Sequence, residues 1–375
     1  IVCGRTAVPE DAMTLITHSI PRGDTRNPFN LDHTPGGSSG GSSAAVAGGM
    51  TPICSASDGA GSIRFPASWT GLIGLKGTRG INPLPRGLNE SILAGAVEGA
   101  LVRSMRDCAA VTEVLAIHRH LGGSFMPSHP PPTLRPQAQV ESRQFRIGFC
   151  TQAWGSDVKI DSDVQSALAK LSQRLEHLGH QVIELSPQDI CDFNALRESF
   201  TVAEWLLPIS RELLHQVHEA NVELTDANAS IQLRNHLALA DRYDVDDLFG
   251  AQLETEALMR RWGAFWQHGP CDLLLSPVTP ITCPEVTASY RMDSDLDFDS
   301  WFAALFDAAC FTIPANHMGL PALSIPAGLD RNGCPIGMQL MAPWRHEHDL
   351  LHLGFQIEQS HPELFNLKPR HGLHR

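Results

Sequence analysis

Apolar positions recur with a helical period in the middle of this 375-residue chain. Val164, Leu168, Leu171, Leu175 and Leu178 lie three or four residues apart, so they share one face of a helix. An aspartate pair precedes this run and a glycine follows it, and these are start and stop signals for a helix. The pattern therefore predicts an amphipathic helix that packs one face against a core.

Short apolar runs lie on both sides of this helix, at residues 145–150 and 181–185. Each run has the length and composition of a buried strand. The order strand, helix, strand indicates a parallel crossover unit, and hence an α/β fold.

Similar patterning predicts the other elements. We expect helices near residues 42–49 and 105–118, and mainly helical structure over residues 193–268. We expect strands at residues 1–3, 51–56 and 273–276. Trp205, Trp262 and Trp266 are candidates for lining an acyl pocket, but the helical spacing of Trp262 and Trp266 favours the core for these two.

Composition narrows the function. The formal charge of −13 argues against nucleic-acid binding, and no run of 18 apolar residues predicts a membrane span. Nine cysteines without close pairs give neither a disulfide framework nor a zinc pattern, so we expect reduced thiols and a cytoplasmic protein. The 18 histidines are dispersed, and His346 with His348 resembles a surface turn. We therefore expect no metal and no cofactor.

Two glycine-rich stretches carry the candidate chemistry, at residues 36–41 and 59–64. Their serines, Ser38 and Ser62, are 24 residues apart. Glycines let the backbone turn sharply and bring N–H groups close to a reacting oxygen, which suggests acyl transfer at Ser62. The alternative is a flexible linker or a turn serine. A linker would not continue directly into the small, apolar, helix-competent residues 42–47.

Residues 27–76 read NPFNLDHTPGGSSGGSSAAVAGGMTPICSASDGAGSIRFPASWTGLIGLK. This stretch resembles the amidase signature family, including the spacing of the two serines. Residues 314–316 and 335–340 also resemble it, and residues 55–64 are most similar to the branch that holds 6-aminohexanoate-cyclic-dimer hydrolases. The resemblance implies an α/β amidase-signature fold: a mixed, largely parallel sheet with helices on both faces, and with its first strands and helices missing. It implies a small-molecule amide substrate, linear or cyclic.

The resemblance also implies roles for single residues. Ser62 matches the acylated nucleophile, and Ser38 matches the bridging serine that relays a proton, typically across a cis peptide bond. The amides of Gly59, Ala60 and Gly61 would form the oxyanion hole with that of Ser62. The family usually has glycine at the position of Ala60, so the exchange is harmless only if φ is negative there.

Three further residues are expected to support the nucleophile loop: Ser39, Asp58 and Arg64. The alternatives are helix capping for Ser38 and Ser39, and two solvated charges for Asp58 and Arg64. The family's base is a lysine farther upstream of Ser38 than the 37 residues present here. We therefore expect this chain to lack its base and to be impaired or inactive, with Lys76 belonging to a structural segment.

The predicted organisation is one amidase-signature domain over residues 1–375 that lacks its N-terminal part. Its motif-bearing core covers about 1–117 and 310–360, and a central substrate-side excursion covers about 145–309. Two other functions stay open: the A subunit of a glutamine-dependent tRNA amidotransferase, and a non-catalytic truncated remnant. A homodimer is an open alternative for the assembly.

Overall fold

The chain is built around one large sheet. The computed structural model describes residues 2–82, 96–116, 143–239 and 241–372. The strands are β1 (His18–Ser19), β2 (Gly23–Asp24), β3 (Ile53–Asp58), β4 (Ile73–Lys76), β5 (Val97–Val102), β6 (Arg146–Phe149), β7 (Gln181–Glu184), β8 (Leu273–Pro277), β9 (Ala322–Leu329) and β10 (Pro335–Met341). The first two form a small separate pair, and the other eight form a sheet in the order β3-β5-β4-β9-β10-β8-β6-β7.

Helices fill the connections. They are α1 (Gly40–Ala47), α2 (Arg64–Thr70), α3 (Met105–Ala116), α4 (Ser162–His177), α5 (Pro187–Ile190), α6 (Phe193–Phe200), α7 (Leu207–Ala220), α8 (Ile231–Ala238), α9 (Val245–His268), α10 (Phe298–Ala308), α11 (Ile313–His317), α12 (Glu347–Ser360) and α13 (Pro362–Phe365). A 3-10 turn (Glu10–Ala12) and a π-helical turn (Thr201–Leu206) complete the described elements.

The predicted crossover unit is confirmed. Strands β6 and β7 pair in parallel, and α4 connects them. Asp161 caps α4 by accepting a hydrogen bond from the amide of Asp163 at 2.8 Å. The buried residues of α4 include Val164, Leu168 and Leu171, as the periodicity predicted.

The expectation of a largely parallel sheet is wrong. The sheet is mixed, but among the described strands five of its seven pairings are antiparallel. Only the pairs of β6 with β7 and with β8 are parallel. A parallel pair needs a long crossover, whereas β9 and β10 are joined by a short turn that forces them to run antiparallel.

Helices cover both faces of the sheet, as predicted. Gly74 of β4 faces α2, because a Cβ added there would lie 2.5 Å from the side chain of Ile63 and 3.1 Å from that of Ala67. The neighbouring Leu323 of β9 points to the other face, towards Gly354 of α12. One prediction fails at the start of the chain: residues 2–3 are irregular and not a strand, and residue 1 lies outside the described residues.

Candidate active site

Ser62 lies in the loop between the end of β3 and the start of α2. It is half-buried and lines a cavity of about 40 Å³ together with Gly37 and Ala60. The other lining residues are mostly apolar: Ala12, Met13, Thr14, Leu15, Phe65, Trp205, Leu305, Phe306, Ala309 and Ile313. A hydroxyl group is thus presented at the edge of an apolar pocket.

The backbone amides beside Ser62 are not all equivalent. The Gly61 N–H donates to Asp58 Oδ1 at 2.7 Å, so it is already engaged. The amides of Gly59, Ala60 and Ser62 make no hydrogen bond with any described residue. Within the described residues, these three amides are therefore unengaged, whereas that of Gly61 is bonded to Asp58.

The loop's backbone explains where glycine is required. Gly61 has a φ of +132°, and a Cβ there would lie 2.5 Å from the Phe65 ring. Ala60 is not among the described non-glycine residues with positive φ. The exchange of glycine for alanine at position 60 is therefore compatible with the loop.

Asp58 and Arg64 are both fully buried and form a two-pronged ion pair. Arg64 Nε donates to Asp58 Oδ2 at 2.9 Å, and Nη2 donates to Oδ1 at 2.8 Å. Burial alone would raise the pKa of the Asp58 carboxyl, but the charge and hydrogen bonds of Arg64, with that of Asn316, lower it to about 2. The alternative of two solvated charges is wrong, because no part of either side chain is exposed.

Three residues distant in sequence hydrogen-bond to the Asp58–Arg64 pair or to the adjoining loop. None of them was among the predicted site residues. Asn316 Nδ2 donates to Asp58 Oδ1 at 2.9 Å, and Gln339 Oε1 accepts from Arg64 Nη1 at 2.6 Å. Thr312 Oγ1 donates to the carbonyl of Ala60 at 2.6 Å. Asn316 and Gln339 did lie in segments that resemble the family, whereas Thr312 carried no signal in the sequence.

The Gly37–Ser38 peptide bond is cis, and Ser38 is buried. Within the described residues, the hydroxyls of Ser38 and Ser62 do not hydrogen-bond to each other. Ser39 Oγ contacts both the N–H and the carbonyl of Ser57, each at 3.3 Å, which ties it to the strand that leads into the loop. Ser39 is the N-cap residue of α1 but makes no capping bond through its side chain, so the capping alternative fails there.

Lys76 ends β4 and is fully buried. Its Nζ donates to the carbonyl of Gly77 at 2.8 Å and makes no hydrogen bond to Ser38. Burial, followed by the nearby charge of Arg64, lowers the pKa of the Lys76 ammonium from 10.5 to about 7.

The buried lysine should make stability depend on alkaline pH. Between about pH 7 and pH 10.5 the unfolded chain keeps the Lys76 proton and the folded chain releases it. At this residue the unfolded state then binds more protons, so the contribution of Lys76 to the free energy of unfolding should rise with pH, by at most about 1.4 kcal/mol per pH unit. Urea unfolding of the wild type and Lys76→Met over this range measures the slope. Buried cysteines titrate with the opposite sign in the same range, so the Lys76 effect is the difference between two proteins: the slope should be lower in Lys76→Met than in the wild type and unchanged in the exposed Lys170→Met control. Equal slopes in all three would contradict this account.

Two of the candidate tryptophans have different environments in the structure. Trp205 lines the Ser62 cavity, whereas Trp262 is fully buried in the core. Larger surface cavities of about 610 Å³ and 720 Å³ lie elsewhere, and neither is lined by a predicted site residue.

The histidine pair in the predicted surface turn has an acidic neighbour. Candidate ligand atoms of His346, His348 and Asp349 lie within 4.8 Å of one another. The Asp349 carboxylate accepts from His346 Nδ1 at 2.8 Å and forms an ion pair with Arg143. Its charge is therefore already paired, and the absence of a metal stays a prediction.

None of the nine cysteines, all of which lie in described residues, forms a disulfide. Among the helices in the described ranges, none has both the length and the apolar composition that crossing a bilayer requires.

Comparison with known proteins adds the family. Residues 1–351 match the family profile described as Amidase. The chain is 33% identical to the 6-aminohexanoate-cyclic-dimer hydrolase of Pseudomonas sp. (strain NK87), over 96% of this chain and 74% of that protein. It is 31% identical to the A subunit of the glutamyl-tRNA(Gln) amidotransferase of Prochlorococcus marinus (strain MIT 9303), over 96% of this chain and 74% of that protein.

Solved structures agree. A structure of 6-aminohexanoate cyclic dimer hydrolase superposes with a TM-score of 0.86 at 29% identity, covering 98% of this chain and 76% of that one. The profile match covers most of the chain, and the sequence and structural relatives hydrolyse or transfer amide groups by name. The chain therefore belongs to the amidase family of amide-hydrolysing enzymes.

Proposed function

We propose that this amidase cleaves the amide C–N bond through an acyl-enzyme on Ser62. The Ser62 hydroxyl gives up its proton as its oxygen adds to the carbonyl carbon, and the carbonyl oxygen becomes an oxyanion. Collapse of this intermediate breaks the C–N bond, and the leaving nitrogen takes up that proton to depart as amine or ammonia. Water then attacks the ester carbonyl, which releases the acid and regenerates the Ser62 hydroxyl.

One observation carries this proposal: three amides without partners among the described residues surround a serine at the edge of a pocket. Those of Gly59, Ala60 and Ser62 are the candidate oxyanion donors, and each such donor is worth about 3 kcal/mol where mutation has tested it. The buried pair of Asp58 and Arg64 holds the loop rigidly, as preorganised donors require.

The mechanism also needs a proton relay from Ser62 to a base. Ser38 is the proposed bridge between Ser62 and a base. The chain has four lysines, at positions 76, 159, 170 and 368, and none of their ammonium groups hydrogen-bonds to Ser38. Since losing one member of a catalytic unit can cost several powers of ten, we expect slow turnover by these 375 residues.

The pocket favours an amide with an apolar acyl group. Its walls are Met13, Leu15, Phe65, Trp205 and Phe306, with little polar surface beside Ser62. Glutamine, the amide donor of the amidotransferase alternative, would need partners for its charged amine and carboxylate. The name of the hydrolase relative refers to a cyclic dimer of 6-aminohexanoate, which agrees with an aliphatic substrate, linear or cyclic.

Location, assembly and domain organisation stay predictions. A reducing compartment such as the cytoplasm agrees with the lack of disulfides among the nine cysteines, all of which are described. For the homodimer, no surface of the described residues is identified as the interface. The central residues 145–309 supply Trp205, Leu305 and Phe306 to the pocket, which supports their substrate-side role.

The proposal can be tested by trapping the acyl-enzyme. The purified chain is incubated with an alkyl fluorophosphonate or with hexanamide, and the modified peptide is mapped by mass spectrometry. We expect the adduct on Ser62, and release of ammonia from hexanamide faster than from glutamine. An adduct on another serine, or a preference for glutamine, would contradict the mechanism or the substrate class respectively.

A further inference from the structure

A buried charged cluster lies behind the pocket, and the proposed chemistry does not use it. His317 is fully buried, and its Nδ1 lies 2.8 Å from Oε1 of Glu204. Arg79 Nη2 donates to the same Oε1 at 3.2 Å. Glu204 is itself only 3% exposed, so it is an almost fully desolvated carboxylate.

The other ring nitrogen of His317 faces two hydroxyls. Nε2 lies 2.8 Å from Ser199 Oγ and 3.1 Å from Thr255 Oγ1. Each hydroxyl also lies within hydrogen-bond distance of a backbone carbonyl, that of Leu196 or of Ala251. His317 therefore bridges the Glu204 carboxylate and two hydroxyls through its two ring nitrogens.

Ser199, His317 and Glu204 thus have the connectivity of a serine–histidine–acid triad, but they do not act as one. Besides the imidazole, the Ser199 hydroxyl has the carbonyl of Leu196 within hydrogen-bond distance, at 3.1 Å. Ser199 is buried, and it does not line any of the described cavities. No substrate carbonyl can reach this buried serine, so the cluster does not act as a nucleophile. Its role must lie in the parts of the structure that it contacts.

The cluster is incompletely satisfied. Oε2 of Glu204 and Nε of Arg79 are buried without a hydrogen-bond partner among the described residues. Leaving such groups unpaired costs stability, and an apolar cluster of the same shape would avoid that cost. A gain in stability therefore does not explain why these charges are present.

The cluster contacts two walls of the Ser62 site. Arg79 Nη2 also donates to the carbonyls of Asn316 and His317, at 2.8 Å and 2.9 Å. The side chain of Asn316 in turn holds Asp58, which ends the strand leading into the nucleophile loop. On the other side, Glu204 directly precedes Trp205, the pocket-lining tryptophan, in a π-helical turn. Such turns interrupt regular helices, so they need local anchoring.

We propose that Glu204 is a positioning residue for the Ser62 site. It acts through His317 and Arg79 on Asn316, and through its own π-helical turn on Trp205, and it thereby sets the width of the acyl pocket. The inference rests on the proposed function for its meaning in catalysis. The structural part, that Glu204 fixes the Trp205 ring, holds independently of turnover.

The test compares Glu204→Gln with Glu198→Gln, an exposed glutamate on the adjoining α6. The first readout is acrylamide quenching of Trp205 emission, isolated as the difference between each protein and its Trp205→Phe counterpart. We expect stronger quenching and a red shift in Glu204→Gln, and neither in Glu198→Gln. Unchanged Trp205 emission in a folded Glu204→Gln variant overturns the proposal.

The second readout is the labelling rate of Ser62 by hexyl and methyl fluorophosphonates. In Glu204→Gln we expect the hexyl rate to fall about ten-fold, equivalent to ~1.4 kcal/mol in the barrier, and the methyl rate to fall less. Equal losses for both probes would mean that Glu204 does not act through the pocket wall, and would overturn the proposal. If the wild type is not labelled at all, the proposed function fails, and the Trp205 readout still decides the inference.

A variant that fails to fold is replaced by a milder one. Arg79→Gln leaves Glu204 paired with His317, so it should shift Trp205 emission in the same direction and by less. No shift in a folded Arg79→Gln protein, with Glu204→Gln unfolded, would also count against the proposal.

Discussion

Replacing Ser62 by alanine should abolish fluorophosphonate labelling and lower the already slow amide hydrolysis of this chain to the uncatalysed rate, a smaller loss than in an enzyme with its complete relay, because losses within one catalytic unit do not add. The reason is that the proposed acyl-enzyme forms only on this hydroxyl. The remaining amide donors can still polarise a carbonyl, but they cannot form a bond to it. The measurement is ammonia release from hexanamide, followed until the uncatalysed rate becomes limiting.

The matched control is Ser55→Ala, an exposed serine on the same strand that leads into the loop. This variant should keep both activities, and both variants should have the thermal unfolding midpoint of the wild type to within a few degrees. If Ser62→Ala kept measurable turnover, the nucleophile would have to be sought elsewhere. If Ser55→Ala also lost turnover, the loss would report on the strand and not on the hydroxyl.

Replacing Asp58 by asparagine is expected to lower both stability and turnover. Asp58→Asn leaves the Arg64 guanidinium buried without its anion, and breaking a buried pair in this way costs about 3–5 kcal/mol of unfolding free energy. It also turns the acceptor of the Gly61 and Ile63 amides into a group that can be oriented as a donor, so the loop loses its shape. We expect turnover to fall with stability, measured by urea unfolding and by the hexanamide assay.

The pH dependence of the unfolding free energy tests independently whether the Asp58 charge stabilises the loop. The pKa of Asp58 is about 2 in the folded protein and near 3.8 when unfolded, so its contribution is present at neutral pH and is lost as the pH falls from about 4 to about 2. The stability gap between wild type and Asp58→Asn should therefore narrow in that interval. The surface pair of Asp241 and Arg211 is the control, because Asp241→Asn should cost less than about 1 kcal/mol at any pH. A gap that stayed constant down to pH 2 would show that the Asp58 charge is not what stabilises the loop.

The double variant Asp58→Asn/Arg64→Met separates charge from shape. It removes the unpaired guanidinium, so it should be no less stable than Asp58→Asn alone. Its loop would still lack the bonds from Arg64 to Gln339 and Asn316, so activity should not return. Recovered activity would mean that the ion pair serves stability alone.

Much of the fold could be predicted because its signals are local. The period of Val164, Leu168 and Leu171 marked α4, and the runs on both sides of it marked β6 and β7. The direction of the other strands could not be predicted in this way. Strand direction depends on which distant segments pair, and neither composition nor periodicity records that.

By itself, the sequence determined the glycine-rich loop, the position of Ser62 in it and the family to which the chain belongs, because these depend on short contiguous motifs. The tertiary structure alone decided that the Gly61 amide is engaged by Asp58, that Ala60 needs no positive φ, and that Trp205 reaches the pocket. It alone brought Thr312, Asn316 and Gln339 around Arg64, from segments about 250 residues or more away along the chain. Hydrogen bonds act over about 3 Å of space and take no account of separation along the chain, so only the folded arrangement reveals which polar groups meet.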